Sequence, residues 1–103
     1  MAYTFDRTHG QVAASEAAIL TTSGNQRVMF TLNFHNTDTV DREIEVWLKV
    51  SSTGRKLVKE TMQADSTITI TDKHVLNATT DSVTAVADAA ATIDYWLSFI
   101  EIA

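Results

Sequence analysis

The side chains in this sequence best suited to chemistry are three histidines, His9, His35 and His74, and one dense acidic run, Asp38, Asp41, Glu43 and Glu45. Imidazoles and carboxylates hold metals or move protons only where several converge, and close spacing along the chain is the usual sign of that. No two histidines stand at ligand spacing, and none sits in a His-x-Glu pattern. His35 alternates with Asn33 on what reads as a polar strand face, so a solvated imidazole is expected. The acidic run offers oxygen ligands of the kind calcium takes. It lacks Asp-x-Asp spacing and a glycine for the sharp loop turn, so a solvated loop and sheet face is expected there. Two carboxylates can also perform acid–base hydrolysis across a cleft, but nothing in the sequence indicates one. Gly-x-Ser-x-Gly is absent. The three glycines, Gly10, Gly24 and Gly54, are isolated, so no phosphate-cradling loop can be built from them. Asn77-Ala78-Thr79 matches an N-glycosylation acceptor and, with no secretory signal in the sequence, reads as a chance match. The expectation is a non-enzymatic protein with no metal and no cofactor.

Composition narrows the remaining roles. The chain has 103 residues, enough for one domain with one core, and a domain of this size leaves little room for a deep cleft. It contains no cysteine, which excludes disulfides and thiolate zinc sites. Small secreted domains often need such staples, so their absence favours assembly inside a cell. The start, Met1 to Arg7, has neither the basic region nor the apolar run of a signal peptide. No stretch approaches the roughly 20 apolar residues of a membrane helix. The net charge is −5. Binding a phosphate backbone needs clustered Lys and Arg. The one basic doublet, Arg55-Lys56 with Lys59 nearby, follows a turn expected at Gly54 and reads as a solvated hairpin. Neither nucleic acid nor a membrane is an expected partner.

The elements that must position these residues show a period of two. In Arg27 to His35, residues 28, 30, 32 and 34 are apolar and their neighbours, apart from Met29, are polar. In Glu43 to Val50 the apolar set is 44, 46, 48 and 50. Successive strand side chains face opposite ways, so each run predicts a strand with those residues inward. The turn-rich Asn36-to-Asp41 link suggests that the two strands are adjacent and antiparallel. Further strands are predicted at 18–22, 56–62, 66–71, 74–76, 82–86 and 92–102. The alanine-rich runs at 12–18 and 85–91 favour helix by propensity. They are only about two turns long, short for an unsupported helix, and read better as strand edges and loops. The predicted fold is all-β, a single antiparallel β-sandwich (jelly-roll or immunoglobulin-like) of about eight strands. Residues 1–10 form an N-terminal arm or first edge strand, and residues 11–103 form the sandwich domain.

The candidate functional residues are therefore surface contacts to protein. Tyr3, Phe5 and Arg7 alternate with Thr4, Asp6 and Thr8, a pattern that could add a strand to a neighbour's sheet or serve as this domain's own first strand. Trp47 shares a strand face with Glu45 and Lys49, and tryptophan on a polar face is a recurring interface anchor. Trp96, opposite Tyr95, Leu97 and Phe99, is expected to be covered within the domain. The chain has no proline, a residue that sandwiches use to block unwanted edge pairing. Cover by a neighbouring subunit is the favoured alternative.

The order of these features resembles the small β-sandwich virion proteins of tailed bacteriophages, over nearly the whole chain. It runs from an Ala/Thr-rich segment, Gln11 to Thr22, through a strong strand ending at Asn36-Thr37, a strand of the Glu43-to-Val50 type and a Thr-rich strand. Asp81 to Ala85 and a closing strand around Tyr95 complete it. The sequence departs from the usual layout at Leu20-Thr21-Thr22-Ser23, where a proline-containing turn is common. The resemblance implies a capsid decoration (cement) protein, or else a tail or head-fibre component that contacts the host surface, with glycan binding as an option. It also implies a virion location after assembly in the host cytoplasm. Its implied partners are the major capsid protein or another virion protein, together with copies of itself in a small oligomer such as a trimer. It supplies no site residues.

Overall fold

The computed structural model of the chain describes residues 2–22, 24–77 and 79–103. Among the described residues there is no helix, and nine strands follow one another. They are β1 (Tyr3–Gln11), β2 (Ala17–Leu20), β3 (Gln26–Asn36), β4 (Arg42–Val50), β5 (Thr53–Met62), β6 (Thr67–Ile70), β7 (His74–Leu76), β8 (Ser82–Ala87) and β9 (Ile93–Ile102). The alanine-rich runs do form strands and loops. Of their alanines only Ala85 and Ala87 are buried between the sheets, and the others lie at or near the surface.

Two sheets result. The first has the order β1-β9-β3-β6, with β7 also paired to β3, and the second has the order β2-β8-β4-β5. Every pairing is antiparallel. The chain changes sheet at each connection except β4–β5 and β6–β7. Because β6 pairs with Leu32–His35 and β7 with Arg27–Met29, the two together act as one interrupted strand along β3. Counted so, the sandwich is an eight-stranded jelly roll. Apolar side chains from both inner faces, among them Met29, Leu32, Phe34, Ile44, Val46 and Leu97, interdigitate as one core.

Four sequence expectations change. β3 and β4 are neither adjacent nor paired; they lie in opposite sheets. Alternation shows only which face of a strand meets the core, and strands on opposite sides of one core have the same pattern. Asn36 makes the crossover. It is fully buried, its Nδ2 donating to the carbonyls of Val40 (3.0 Å), Met62 (3.0 Å) and Gln63 (3.2 Å) while its Oδ1 accepts from the Asp38 N–H. Second, Val28 and Phe30 are not inward. Met29 pairs with Phe99 and Thr31 with Ser98, so Phe30 is an extra residue in β3. This bulge sets two residues against one and reverses the facing of everything before it. Met29 is therefore buried (0 % exposed). Third, Val50 is 43 % exposed, because it ends β4 at the hairpin. Fourth, that hairpin turns on Ser51-Ser52, with Val50 paired to Thr53 and a positive φ (57°) at Ser51. A positive φ at the first of two loop residues suits the twist of the strands. Gly54 lies inside β5, opposite Lys49.

Candidate protein-interaction surface

The inward row of β9 (Ile93, Leu97, Phe99) fixes the other parity, including Trp96, Ser98, Ile100 and Ile102, on the outer face of the first sheet. Directly paired residues share a face, so the register carries this assignment across the sheet. Phe5 pairs with Ile100, Ile100 with Val28, and Val28 with Val75. The result is an apolar row running across four strands. Tyr3 and Ile102 extend it on one side, and the bulged Phe30 stands beside Ser98 on the other. Phe5 is 78 %, Tyr3 61 % and Val75 52 % exposed. Lys73 holds its ammonium 5.6 Å from the Phe30 ring.

Farther along the same face the rows turn polar. Asn33 accepts from the Thr69 hydroxyl at 2.8 Å, and His35 contacts Thr67 at 2.7 Å and Asp65 at 3.0 Å. Trp96 projects among these groups at 43 % exposed, beside a shallow depression of about 310 Å³ lined by His9, Gly10, Gln11 and Asp94. Its expected cover is absent, because no strand among the described residues lies over the outer face. On the opposite face of this strand pair the Tyr95 ring lies against Gly10. A Cβ at that position would stand 3.1 Å from the Tyr95 hydroxyl.

Of the residues singled out in the sequence, Tyr3, Phe5 and Arg7 come together on the outer face of β1. Trp47 does not join them. It lies on the outer face of the second sheet, with the ammonium groups of Lys49 and Lys56 each 5.8 Å from its ring. That face is charged: Glu45 meets Lys59 at 3.4 Å and Lys56 at 3.9 Å, and Lys49 meets Glu16 at 3.1 Å. Thr84, paired with Trp47, is buried, and its hydroxyl has no hydrogen-bond partner among the described residues. Sequence reading missed Val28, Phe30, Val75 and Ile100 as surface residues. The available signal was the unbroken apolar triplet 28–30, which no regular strand with one buried face produces.

β1 is an edge strand paired only with β9, from Tyr3 opposite Ile102 to Gln11 opposite Asp94. Every residue from Tyr3 to Arg7 is exposed, because the short β2 gives the inner face of β1 little cover. The opposite edge of the second sheet is β5, which carries Arg55, Lys56, Lys59 and Glu60. Charges of this kind discourage edge-to-edge pairing, and β1 has only Asp6 and Arg7 with His9.

Two acidic groups, Asp38 and Asp81, are engaged in structure. Asp38 accepts from Arg42 at 2.7 and 2.9 Å; that hydrogen bond, then the Thr39 N–H, holds its carboxyl below the usual range. Asp81 is buried and accepts from the N–H groups of Asn77 (3.0 Å) and Ser51 (3.2 Å) and the Thr80 hydroxyl (3.0 Å). The Asn77 bond is the main cause of its lowered pKa, against an opposing cost of desolvation. Among the described residues no three His, Asp or Glu side chains gather as metal ligands, and no helix is long and apolar enough to cross a membrane. The glycosylation match includes Ala78, and the proline-free turn that departs from the phage layout includes Ser23; both lie outside the described residues, as does Met1 of the N-terminal segment.

No protein-family model matches the chain, and no curated protein sequence matches it. Solved structures do. A chain of the Bacillus endospore appendages, described as disulfide-linked pili, is similar with a TM-score of 0.56 and 20 % identity, over 97 % of this chain and 85 % of that one. A chain of the T13 particle of infectious bursal disease virus has a TM-score of 0.56 and 7 % identity, over 97 % of this chain but only 31 % of its own length. A pentameric capsid protein from metagenomic phage sequences follows at TM-score 0.49 and 12 % identity, over 94 % and 68 %. At these identities the likeness to the first two establishes the shared fold alone, the antiparallel jelly-roll sandwich.

Proposed function

We propose that this chain is a non-enzymatic structural protein of a tailed-phage virion, a capsid decoration (cement) protein that braces the major capsid protein after assembly in the host cytoplasm. The observation that carries this reading is β1. It is a nine-residue edge strand with one partner, both faces open and large aromatic side chains exposed. A free edge of this kind is a template for β-addition to another chain, and Tyr3, Phe5 and Arg7 on the outer face beside it are proposed as protein contacts. Trp47, on the opposite outer face, is proposed as a separate protein contact. Neighbours that build a virus particle and a pilus support an assembly role for the fold. The absence of cysteine argues against a disulfide-linked filament. The test is to locate the chain in intact particles and to compare virions with and without it. The reading requires it on the capsid shell and a loss of heat and osmotic resistance in its absence; unchanged resistance overturns it.

A second reading, a tail or head-fibre component that binds host glycan, is favoured by one observation. Trp96 offers an exposed ring next to His9, Gln11 and Asp94, the pairing of stacking surface and polar groups that suits a sugar ring. Glycan-array binding lost in Trp96→Ala, with the chain located on a tail or fibre, would select this reading over the first.

A further inference from the structure

We propose that the apolar half of the first sheet's outer face binds a second copy of this chain, in a two-fold dimer whose axis runs parallel to the strands between the facing sheets. The proposal goes beyond the capsid reading and does not depend on which particle the protein joins. Three observations point to a second copy.

The first is extent. One apolar row runs the full width of four strands, and with Tyr3, Ile102 and Phe30 beside it the patch covers roughly 200 Å² at a strand spacing of ~4.8 Å, against ~800 Å² buried per partner in a standard interface. That is large enough for the interface core, and the polar rows beside it supply a rim. The charged outer face of the second sheet has no such patch.

The second is the order of residues in the row: Phe5, Ile100, Val28, Val75. A two-fold axis between β9 and β3 lays β1 of one copy over β7 of the other. Phe5 then faces Val75 of the other copy and Ile100 faces Val28, each contact occurring twice. Large opposes small at the edges and branched opposes branched at the centre, the self-complementarity an isologous interface needs.

The third is charge. Arg7 pairs with Ser98, whose other neighbour is Thr31, so it occupies the row beside the bulge. At the far edge of that row lies the β6–β7 connection, residues 71–73, because β6 ends at Ile70 opposite Leu32 and β7 begins at His74 opposite Met29. Asp72 lies in this connection. Arg7 and Asp72 are both exposed, and neither forms a salt bridge with another described residue. The same axis that matches the apolar row carries Arg7 of each copy to Asp72 of the other. Lys73 beside it is occupied on its own Phe30 ring.

The test is sedimentation equilibrium of the purified protein, which reads self-association whether or not any capsid binds. A dimer is expected well below ~0.1 mM. Phe5→Glu, at the most exposed aromatic, should weaken it by at least about tenfold, and Arg7→Glu should weaken it as well. The double variant Arg7→Glu/Asp72→Arg, which reverses both charges, should recover most of the loss. The reversal reads the same contact through two exposed side chains, independently of any effect of Phe5→Glu on folding. A monomer at ~0.1 mM overturns the proposal. So does an oligomer of any order that tolerates both single substitutions, or a double variant no tighter than Arg7→Glu alone.

Discussion

Two buried polar side chains hold the ends of this sandwich, and they do so by satisfying loop backbone that would otherwise be buried unpaired. Asn36 spends both amide protons and its carbonyl on the β3–β4 and β5–β6 connections. Asn36→Ala removes the amide donor to the Val40 and Met62 carbonyls and the acceptor of the Asp38 N–H, while the Gln63 carbonyl keeps its bonds from Ser66, so a loss of about 2–3 kcal/mol is expected in urea unfolding. Asp81 ties the β4–β5 hairpin to the loop before β8. Its pKa is lowered on folding. A carboxylate so held contributes stability that is fully present above the unfolded value of about 4. That stability is lost as pH falls through the lower folded value. Urea midpoints followed downward from pH 5 should therefore decline in the native sequence. Asp81→Asn should be less stable by about 2 kcal/mol at neutral pH and should show a shallower acid decline. An acid limb of unchanged slope would remove Asp81 as its source. Nothing in the sequence distinguished these two residues. Asn36 reads as part of a turn-rich link and Asp81 only as the start of the Asp81-to-Ala85 segment, because their burial depends on connections contributed by distant parts of the chain.

At the scale of elements, the bulge in β3 decides what the surface displays. Phe30 is the inserted residue, with Met29 inward before it and Thr31 outward after it. Deleting Phe30 leaves an alternating strand with every other residue on its present face, so the fold should survive with modest loss. Deleting Asn33 brings Leu32 and Phe34 next to each other in sequence, and one of them must leave the core. Exposing a buried residue of that size costs about 2–5 kcal/mol, and a one-residue slip affects the whole strand end. Thermal melts of the two deletions should separate them clearly; equal destabilisation would mean that the bulge does not set the register. The strands themselves were legible. β4 follows from alternation, β9 was located as a closing strand apolar on both faces, and β3 was located correctly with its first half facing the wrong way. Period-two logic assigns one face to a whole strand, whereas an insertion reverses that face midway at no cost visible in composition.

The whole molecule closes by pairing its first strand with its last, Tyr3 opposite Ile102. Strand partners far apart in sequence make folding slow through the entropy of loop closure. Refolding is expected in about the millisecond-to-second range typical of all-β domains. With no proline in the chain, it should lack the ~10–100 s isomerisation phase that proline introduces. Stopped-flow double-jump experiments test this directly: a slow phase that grows with time spent unfolded would contradict it. Periodicity and residue type are local properties, and they suffice for the all-β class, the apolar stock of one core and the freedom from disulfide constraint. The packed sheets were needed to show that β3 and β4 lie in opposite sheets instead of pairing, that Trp96 rather than Trp47 is the more exposed tryptophan, and that Phe5, Ile100, Val28 and Val75 make one row. Those outcomes depend on which strands become neighbours and in what register, and that choice is made by contacts between residues far apart in the chain.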